Sequence, residues 1–209
     1  MKFIWYKIKS YILTIFGDLH IYKYPMFIVY NPNGYKINGD NIEQILKIAE
    51  EETMLVFMRG FDSYLDGVFI PIGVSKCSHS GIYIEEKVYH SIAEGVRKDS
   101  LIEFCRCDRL IILKPKKLTE KQYKSIYEHC EKSVGTPYDF DFYSENTNNK
   151  SNIKSNSAYY CHEFSASCIP KTWNIEKMRV KNKLGIIGPK IFAADSFLLN
   201  DHFEIVFGK

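Results

Sequence analysis

Residues 157–169, Ser-Ala-Tyr-Tyr-Cys-His-Glu-Phe-Ser-Ala-Ser-Cys-Ile, stopped by Pro170, constrain this chain more than any other stretch. A polar, Asn/Ser/Lys-rich segment from Glu145 ends there and an apolar-periodic run begins, with Cys161 in its first turn. Backbone N–H groups at a helix N-terminus are unpaired and carry partial positive charge, which favours a thiolate over a thiol. A cysteine so placed is a nucleophile only if a base stands beside it. Without one it is a core residue, the commoner role of a cysteine in an amphipathic helix. The chain must therefore supply a base and a rigid element to hold it.

At 209 residues there is length for one domain with a real core. The division expected is an N-terminal helix and extended segment over residues 1–40, packing on or flanking a catalytic domain over 41–209. Tyr and Phe are abundant, which favours a sheet. The formal net charge of +3 comes from dispersed lysines with no basic run among stacking aromatics, so nucleic acid is not an expected partner. The six cysteines (Cys77, Cys105, Cys107, Cys130, Cys161 and Cys168) form an even set, yet a chain of this size does not need disulfides. Lys2, Lys7 and Lys9 interrupt any secretory apolar region, and no run approaches the ~18 apolar residues of a membrane span. Reduced thiols in a cytoplasm are expected. Zinc is a rival use of Cys105-x-Cys107, His129-Cys130 and Cys161-His162. However, the spacing is not C-x₂-C and Cys130 falls on an apolar helix face, so no metal or other cofactor is expected.

Taken in order, residues 3–16 carry Ile4, Ile8, Tyr11, Ile12 and Ile15 at helical spacing. This is either a helix packed on the domain or, with Trp5, Tyr6 and lysines flanking the stripe, an interfacial helix making peripheral membrane contact. Aromatic strand-like pieces follow to residue 39, broken by Pro25 and by Asn31-Pro32-Asn33-Gly34. Asp40-Asn41 can cap a helix from Ile42 to about Glu52. Met54–Met58 reads as a buried strand and Val68–Ile72 as another apolar piece. His79–Ile84 and Val88–Ile92 read as strands of a hairpin, Asp99–Cys105 as a short helical piece, and Asp108–Leu113 as a strand. Thr119 and Gln122 form a capping-box pair. They open a helix with Tyr123, Ile126, Tyr127, Cys130 and Val134 on one face, closed by Gly135. After Pro170, Asp195–Leu199 reads as a helical turn and Phe203–Phe207 as a last alternating strand.

Cysteine hydrolysis needs a thiolate, a histidine to relay its proton, a third polar group to orient that histidine, and an oxyanion hole. Cys161 is the nucleophile candidate, and its own N–H is a natural oxyanion donor. His79, at the start of a strand, is the candidate base, and His90 on the next strand the candidate orienting group. If the connecting loop has even length, opposed residues have numbers summing to an odd value, and His79 and His90 share a face. An odd loop separates them.

Four segments carry a family resemblance. Ser78-His79-Ser80-Gly81-Ile82-Tyr83 resembles the H-x-G-I strand of the NlpC/P60 superfamily in its circularly permuted, papain-like YiiX/YebB-type branch. Val88-Tyr89-His90-Ser91-Ile92-Ala93-Glu94-Gly95-Val96 resembles that branch's next strand. Gly135-Thr136-Pro137-Tyr138-Asp139 is similar to its G-K-P-Y-D segment, and Tyr160-Cys161-His162-Glu163-Phe164 to its Y-C-S/T-E-L nucleophile segment. Histidine precedes cysteine in that branch, as here, and the resemblance runs from about Leu55 to Ile169.

The resemblance implies an α+β, permuted papain-like fold, a central antiparallel sheet packed against helices that include the nucleophile helix. It implies Cys161 as nucleophile, His79 as base and His90 at the third polar position. Glu163, Tyr138 and Asp139 take supporting places, Glu163 near the helix start and Tyr138-Asp139 shaping the site. His162 departs from the small hydroxyl residue usual after the nucleophile. The activity implied is acyl transfer or hydrolysis at an amide or ester bond, with a small peptide, a peptidoglycan fragment or a lipid-linked molecule as substrate. The competing reading is a lipid- or peptide-binding module that keeps the fold without turnover.

Overall fold

The computed structural model describes residues 35–61, 75–139, 158–175, 180–181 and 190–209, with Ile4 and Ile8 near the start. Six strands form one antiparallel sheet: β1 (Met54–Gly60), β2 (His79–Ile84), β3 (Lys87–Ile92), β4 (Gly95–Asp99), β5 (Arg109–Pro115) and β8 (Phe203–Gly208), in the spatial order β4-β3-β2-β1-β5-β8. Helices α1 (Gly39–Glu51), α2 (Leu101–Phe104), α3 (Glu120–Ser133), α4 (Cys161–Cys168) and α5 (Ala194–Leu198) lie around it, and β6 (Val180–Lys181) pairs with β7 (Lys190–Ile191) as a separate ribbon. The central run of β1 is buried on both faces, which is why Met-Leu-Val-Phe-Met reads as continuous rather than alternating.

Register decides which side chains meet. The β2–β3 loop is the two-residue pair Glu85-Glu86, both at positive φ (49° and 58°), as a tight hairpin turn of the primed type requires. Its even length sets Ile84 opposite Lys87 and Tyr83 opposite Val88. Arg59 pairs with His79, Phe57 with Gly81, and Val88 with Asp99. One face therefore carries Phe57, Arg59, His79, Gly81, His90 and Asp99. Leu55, Phe57, Tyr83 and Phe104 form an apolar cluster there with Ile45 and Ala49 of α1. The other face carries Val56, Ser80, Ile82, Tyr89 and Ser91. There Val56, Ile82 and Tyr89 cluster with Ile126 of α3, Phe164 of α4 and Phe197 of α5.

Several expectations shift by a residue or a role. The first described helix starts at Gly39, and its capping box is Asn38 with Asn41 rather than Asp40-Asn41. Asp99 does not open a helical piece; it ends β4, and Ser100 caps α2 in a box with Glu103. β4 is not among the strands expected from the sequence, because Arg97 and Lys98 are both exposed at the sheet edge and hide its alternation. Gly95, at φ +115°, starts it, and a Cβ there would sit 2.5 Å from the Thr136 carbonyl. Val96 N–H donates to Thr136 O (2.8 Å) and Gly135 N–H to Val96 O (2.8 Å), so the Gly-Thr-Pro-Tyr-Asp segment is tied to this strand.

The Thr119–Gln122 capping box stands as read, and Ile126 and Cys130 are buried on α3, although Val134 is exposed. The last strand is not a simple alternation. A bulge between Ile112 and Leu113 of β5 and their partners Phe207 and Ile205 lets Phe203 enter one core cluster and Phe207 the other. Of the helix expected over residues 3–16, Ile4 and Ile8 are described, both helical and exposed. The rest of it, the pieces over 19–34, Val68–Ile72 and the segment 145–157 lie outside the described residues.

Candidate active site

Cys161 is the first residue of α4, after an extended N-cap at Tyr160. The helix lies against β2 and β3 through small polar residues. Ser80 Oγ donates to Ser165 Oγ (2.9 Å), and Ser91 Oγ donates to the Tyr159 carbonyl (2.7 Å). Tyr138 and Tyr159 form a parallel bridge, so the Tyr-Asp segment is fixed beside the start of α4. The Asp139 N–H donates to the Tyr159 carbonyl at 3.1 Å. The Cys161 thiol is 1 % exposed and donates to the Ser78 carbonyl (Sγ···O 3.6 Å). Burial pushes its pKa up to about 12, against the lowering effect of the backbone N–H groups of His162, Ser80 and Cys161 and of the Tyr138 hydroxyl. Burial first, and then the proximity of Cys161, drives the Tyr138 hydroxyl well above the ordinary tyrosine range. At neutral pH both groups are protonated.

The two histidines of the hairpin meet on the opposite face of the sheet. His79 Nε2 lies 2.8 Å from His90 Nδ1, and His90 Nε2 lies 2.9 Å from Asp99 Oδ2. Phe104 covers both rings, at centroid distances of 5.7 Å from His79 and 5.2 Å from His90. Gly81 makes that cover possible: a Cβ there would stand 3.0 Å from the Phe104 ring and 2.8 Å from Val88. Arg59 closes the other side, donating from Nη1 to the Phe104 carbonyl (2.8 Å) with its guanidinium 4.4 Å from the ring centroid.

Burial lowers His79 well below the ordinary histidine value, helped by Arg59, His90 and His162. Burial also lowers His90 to about 4, against the raising effect of its hydrogen bond to the Asp99 carboxylate. For Asp99 burial alone would raise the pKa, but the hydrogen bonds and charges of His90 and Arg97 outweigh it and hold the carboxyl below its usual range. The pair is thus two neutral imidazoles ending on a carboxylate.

His79 and His90 are brought together as the even-loop register requires. Tyr138 stands at the thiol. Glu163 lies in the first turn of α4, where an acid complements the helix dipole. The described arrangement does not join Cys161 to His79. The thiol bonds to the carbonyl of the peptide immediately before His79, while the His79 ring is turned across the sheet to His90 and Phe104.

Three further polar residues belong to the site. Asp99 continues the histidine pair, Arg59 caps it, and His162, buried beside Cys161, places Nδ1 2.9 Å from Ser80 Oγ. Asp99 was legible in principle as a carboxylate two positions beyond the residue opposite His90, once β4 is paired. Cys105 and Cys107 sit with Phe104, Cys130 contacts Cys168 (3.6 Å), and all six thiols are unbridged. Among the described residues no three His, Cys, Asp or Glu side chains form a metal-binding group.

A six-stranded antiparallel sheet with a helix that begins at a cysteine packed on it is the α+β architecture of a permuted papain-like protein. The chain belongs to the permuted papain-like amidase family, YaeF/YiiX, C92, whose sequence model matches residues 54–199. It is similar in fold to the crystal structure of the metalloprotein yiiX from Escherichia coli O157:H7, with a TM-score of 0.54 and 13 % identity over 76 % of this chain and 97 % of that one. No curated protein matches significantly.

Proposed function

We propose that this chain cleaves or transfers an acyl group at an amide or ester bond, with Cys161 as nucleophile, His79 as general base and His90 as the residue that orients His79. The observation carrying this reading is that one peptide unit separates the two reacting groups. Sγ bonds to the Ser78 carbonyl, and the next residue is His79, already hydrogen-bonded to His90. The described arrangement is then the resting one, with the thiol protonated and held on Ser78. In turnover the thiol leaves that carbonyl, His79 takes its proton, and sulfur attacks the substrate carbonyl. The N–H groups at the start of α4 stabilise the oxyanion. His79 returns the proton to the leaving group, and water or another acceptor releases the thioester.

The substrate class proposed is a small peptide, peptidoglycan-derived or lipid-linked molecule, met in the cytoplasm or at a membrane surface through the N-terminal segment. Among the described residues no helix is long and apolar enough to cross a membrane. The yiiX structure is described as a metalloprotein. The donors here do not fit a metal: the His79–His90 contact and the His90–Asp99 bond occupy three of the four ring nitrogens, and Cys161 faces the other side of the sheet.

A second reading, a lipid- or peptide-binding module without turnover, has one observation on its side: Cys161 is buried and bonded to Ser78 rather than to His79. Labelling with a thiol-directed acylating probe separates the two. Covalent labelling of the wild type that is lost in Cys161→Ala, with an unchanged circular dichroism spectrum, supports the hydrolase. Equal labelling of the variant sinks the nucleophile assignment.

A further inference from the structure

The histidine pair does not end the chain of hydrogen bonds. We infer that Asp99 is a positioning residue for this hydrolase: through His90 it fixes which nitrogen of His79 is free to accept a proton. The inference rests on the reading of His79 as the base.

A carboxylate has only acceptors, so the 2.9 Å contact between Asp99 Oδ2 and His90 Nε2 requires a proton on Nε2. His90 is neutral, so its Nδ1 then carries a lone pair. The 2.8 Å contact to His79 is therefore a donation from His79 Nε2–H to His90 Nδ1. His79 is also neutral, which leaves Nδ1 as its unprotonated nitrogen. One carboxylate thus sets two tautomers and directs the basic lone pair to a single atom. Without it, both rings are free to reverse, and reversal would place a proton where the base must accept one.

Asp99 is held for this work. Its other oxygen, Oδ1, accepts from Arg97 Nε (2.6 Å) and Nη2, two residues earlier on the same edge strand. The groups that face the relay are Arg59 from β1 and Arg97 from β4, with uncharged Phe104 from α2, while His162 of α4 acts on His79 electrostatically from across β2. Arg59 and Arg97 are cations, which oppose a second positive charge on the histidines and keep both rings neutral. Neither the hairpin motif nor the residues of the nucleophile segment includes Asp99.

Arg97 also makes the inference sharply testable. In Asp99→Asn the single carbonyl oxygen is drawn to Arg97, a donor, so the amide NH₂ faces His90. His90 must then accept at Nε2 and donate from Nδ1, and His79 loses its free Nδ1. Removing the competing donor in the double variant Asp99→Asn/Arg97→Met, whose thioether cannot donate, frees the oxygen to turn back to His90.

The measurement is alkylation of Cys161 by iodoacetamide as a function of pH, followed by mass spectrometry, beside His79→Ala. The expected result is slowing by about 100-fold in Asp99→Asn near neutral pH, the low end of what a general base contributes, with partial recovery in the double variant. Slow His79→Ala with wild-type behaviour of Asp99→Asn overturns the role of Asp99 and leaves the base in place. Wild-type behaviour of His79→Ala overturns the base and the relay together. Long-range ¹H–¹⁵N correlation spectra of the wild type give an independent reading that no folding defect can blur. Both His79 and His90 are expected as Nε2–H tautomers, and an Nδ1–H tautomer at either contradicts the inference.

Discussion

At the scale of single residues, the site is governed by burial acting on groups that need one another. Cys161 has the N-terminal amides of a helix and a tyrosine hydroxyl at its sulfur, yet burial outweighs them and leaves a thiol with a pKa of about 12. The Tyr138 hydroxyl is among the groups that favour the thiolate, so Tyr138→Phe should slow iodoacetamide alkylation of Cys161 by about threefold to tenfold near neutral pH, the weight of one net hydrogen bond. An unchanged rate would mean that the hydroxyl serves packing alone. The residues themselves were legible in the sequence: Cys161 from the polar-to-apolar boundary, and His79 and His90 from alternation and motif. His162 was visible only as a departure from a small hydroxyl. Its use, a ring nitrogen on Ser80 Oγ, depends on helix α4 lying against β2, which no local pattern encodes.

At the scale of elements, a two-residue turn decides which side chains meet. Glu85-Glu86 sets an even loop, and the even loop puts both histidines on one face. The sequence could state that consequence but could not choose the loop, because Glu at positive φ lacks the usual Asn-Gly signal. β4 was missed for a related reason: an edge strand with Arg97 and Lys98 outward has too little alternation to read, and Asp99 was lost with it. Gly81 ties the elements together. Gly81→Ala should lower stability by about 1–3 kcal/mol in urea unfolding, because its Cβ would meet Val88, Phe104 and the Tyr89 carbonyl at 2.8–3.1 Å. Gly39→Ala, in the first turn of α1 with nothing within 4 Å, should be neutral or stabilising by up to about 1 kcal/mol. The reverse order of the two would contradict the packing of Phe104 over the histidines. Thr119→Ala should cost about 1 kcal/mol by removing the capping box of α3.

At the scale of the whole molecule, the sheet is a partition. One face carries the neutral histidine pair under Phe104, the other the helix that begins at Cys161, and β2 lies between them. The α+β class, the antiparallel sheet and the helix packed on it follow from the sequence and its resemblance. Which face Cys161 and the histidines occupy does not, because a strand's alternation fixes only relative sides. Storing neutral histidines has a thermodynamic signature. His90 and His162 each have a folded pKa of about 4, below the value near 6.5 of an unfolded chain, through burial. The unfolded chain therefore takes up protons first as pH falls. The stability these groups confer is complete above about pH 6.5 and is lost progressively toward about pH 4. Urea midpoints should fall over that window, and less so in His162→Gln. A midpoint that rises on acidification would contradict the assignment of neutral rings.

The proposed pairing of the Cys161 thiol with His79 across one peptide is tested most directly by the rate at which an acylating probe modifies Cys161 in wild type and in His79→Ala. The prediction is a single adduct mapped to Cys161 whose formation is about 100-fold slower in the variant. An adduct on another cysteine, or equal rates in the two proteins, would contradict it.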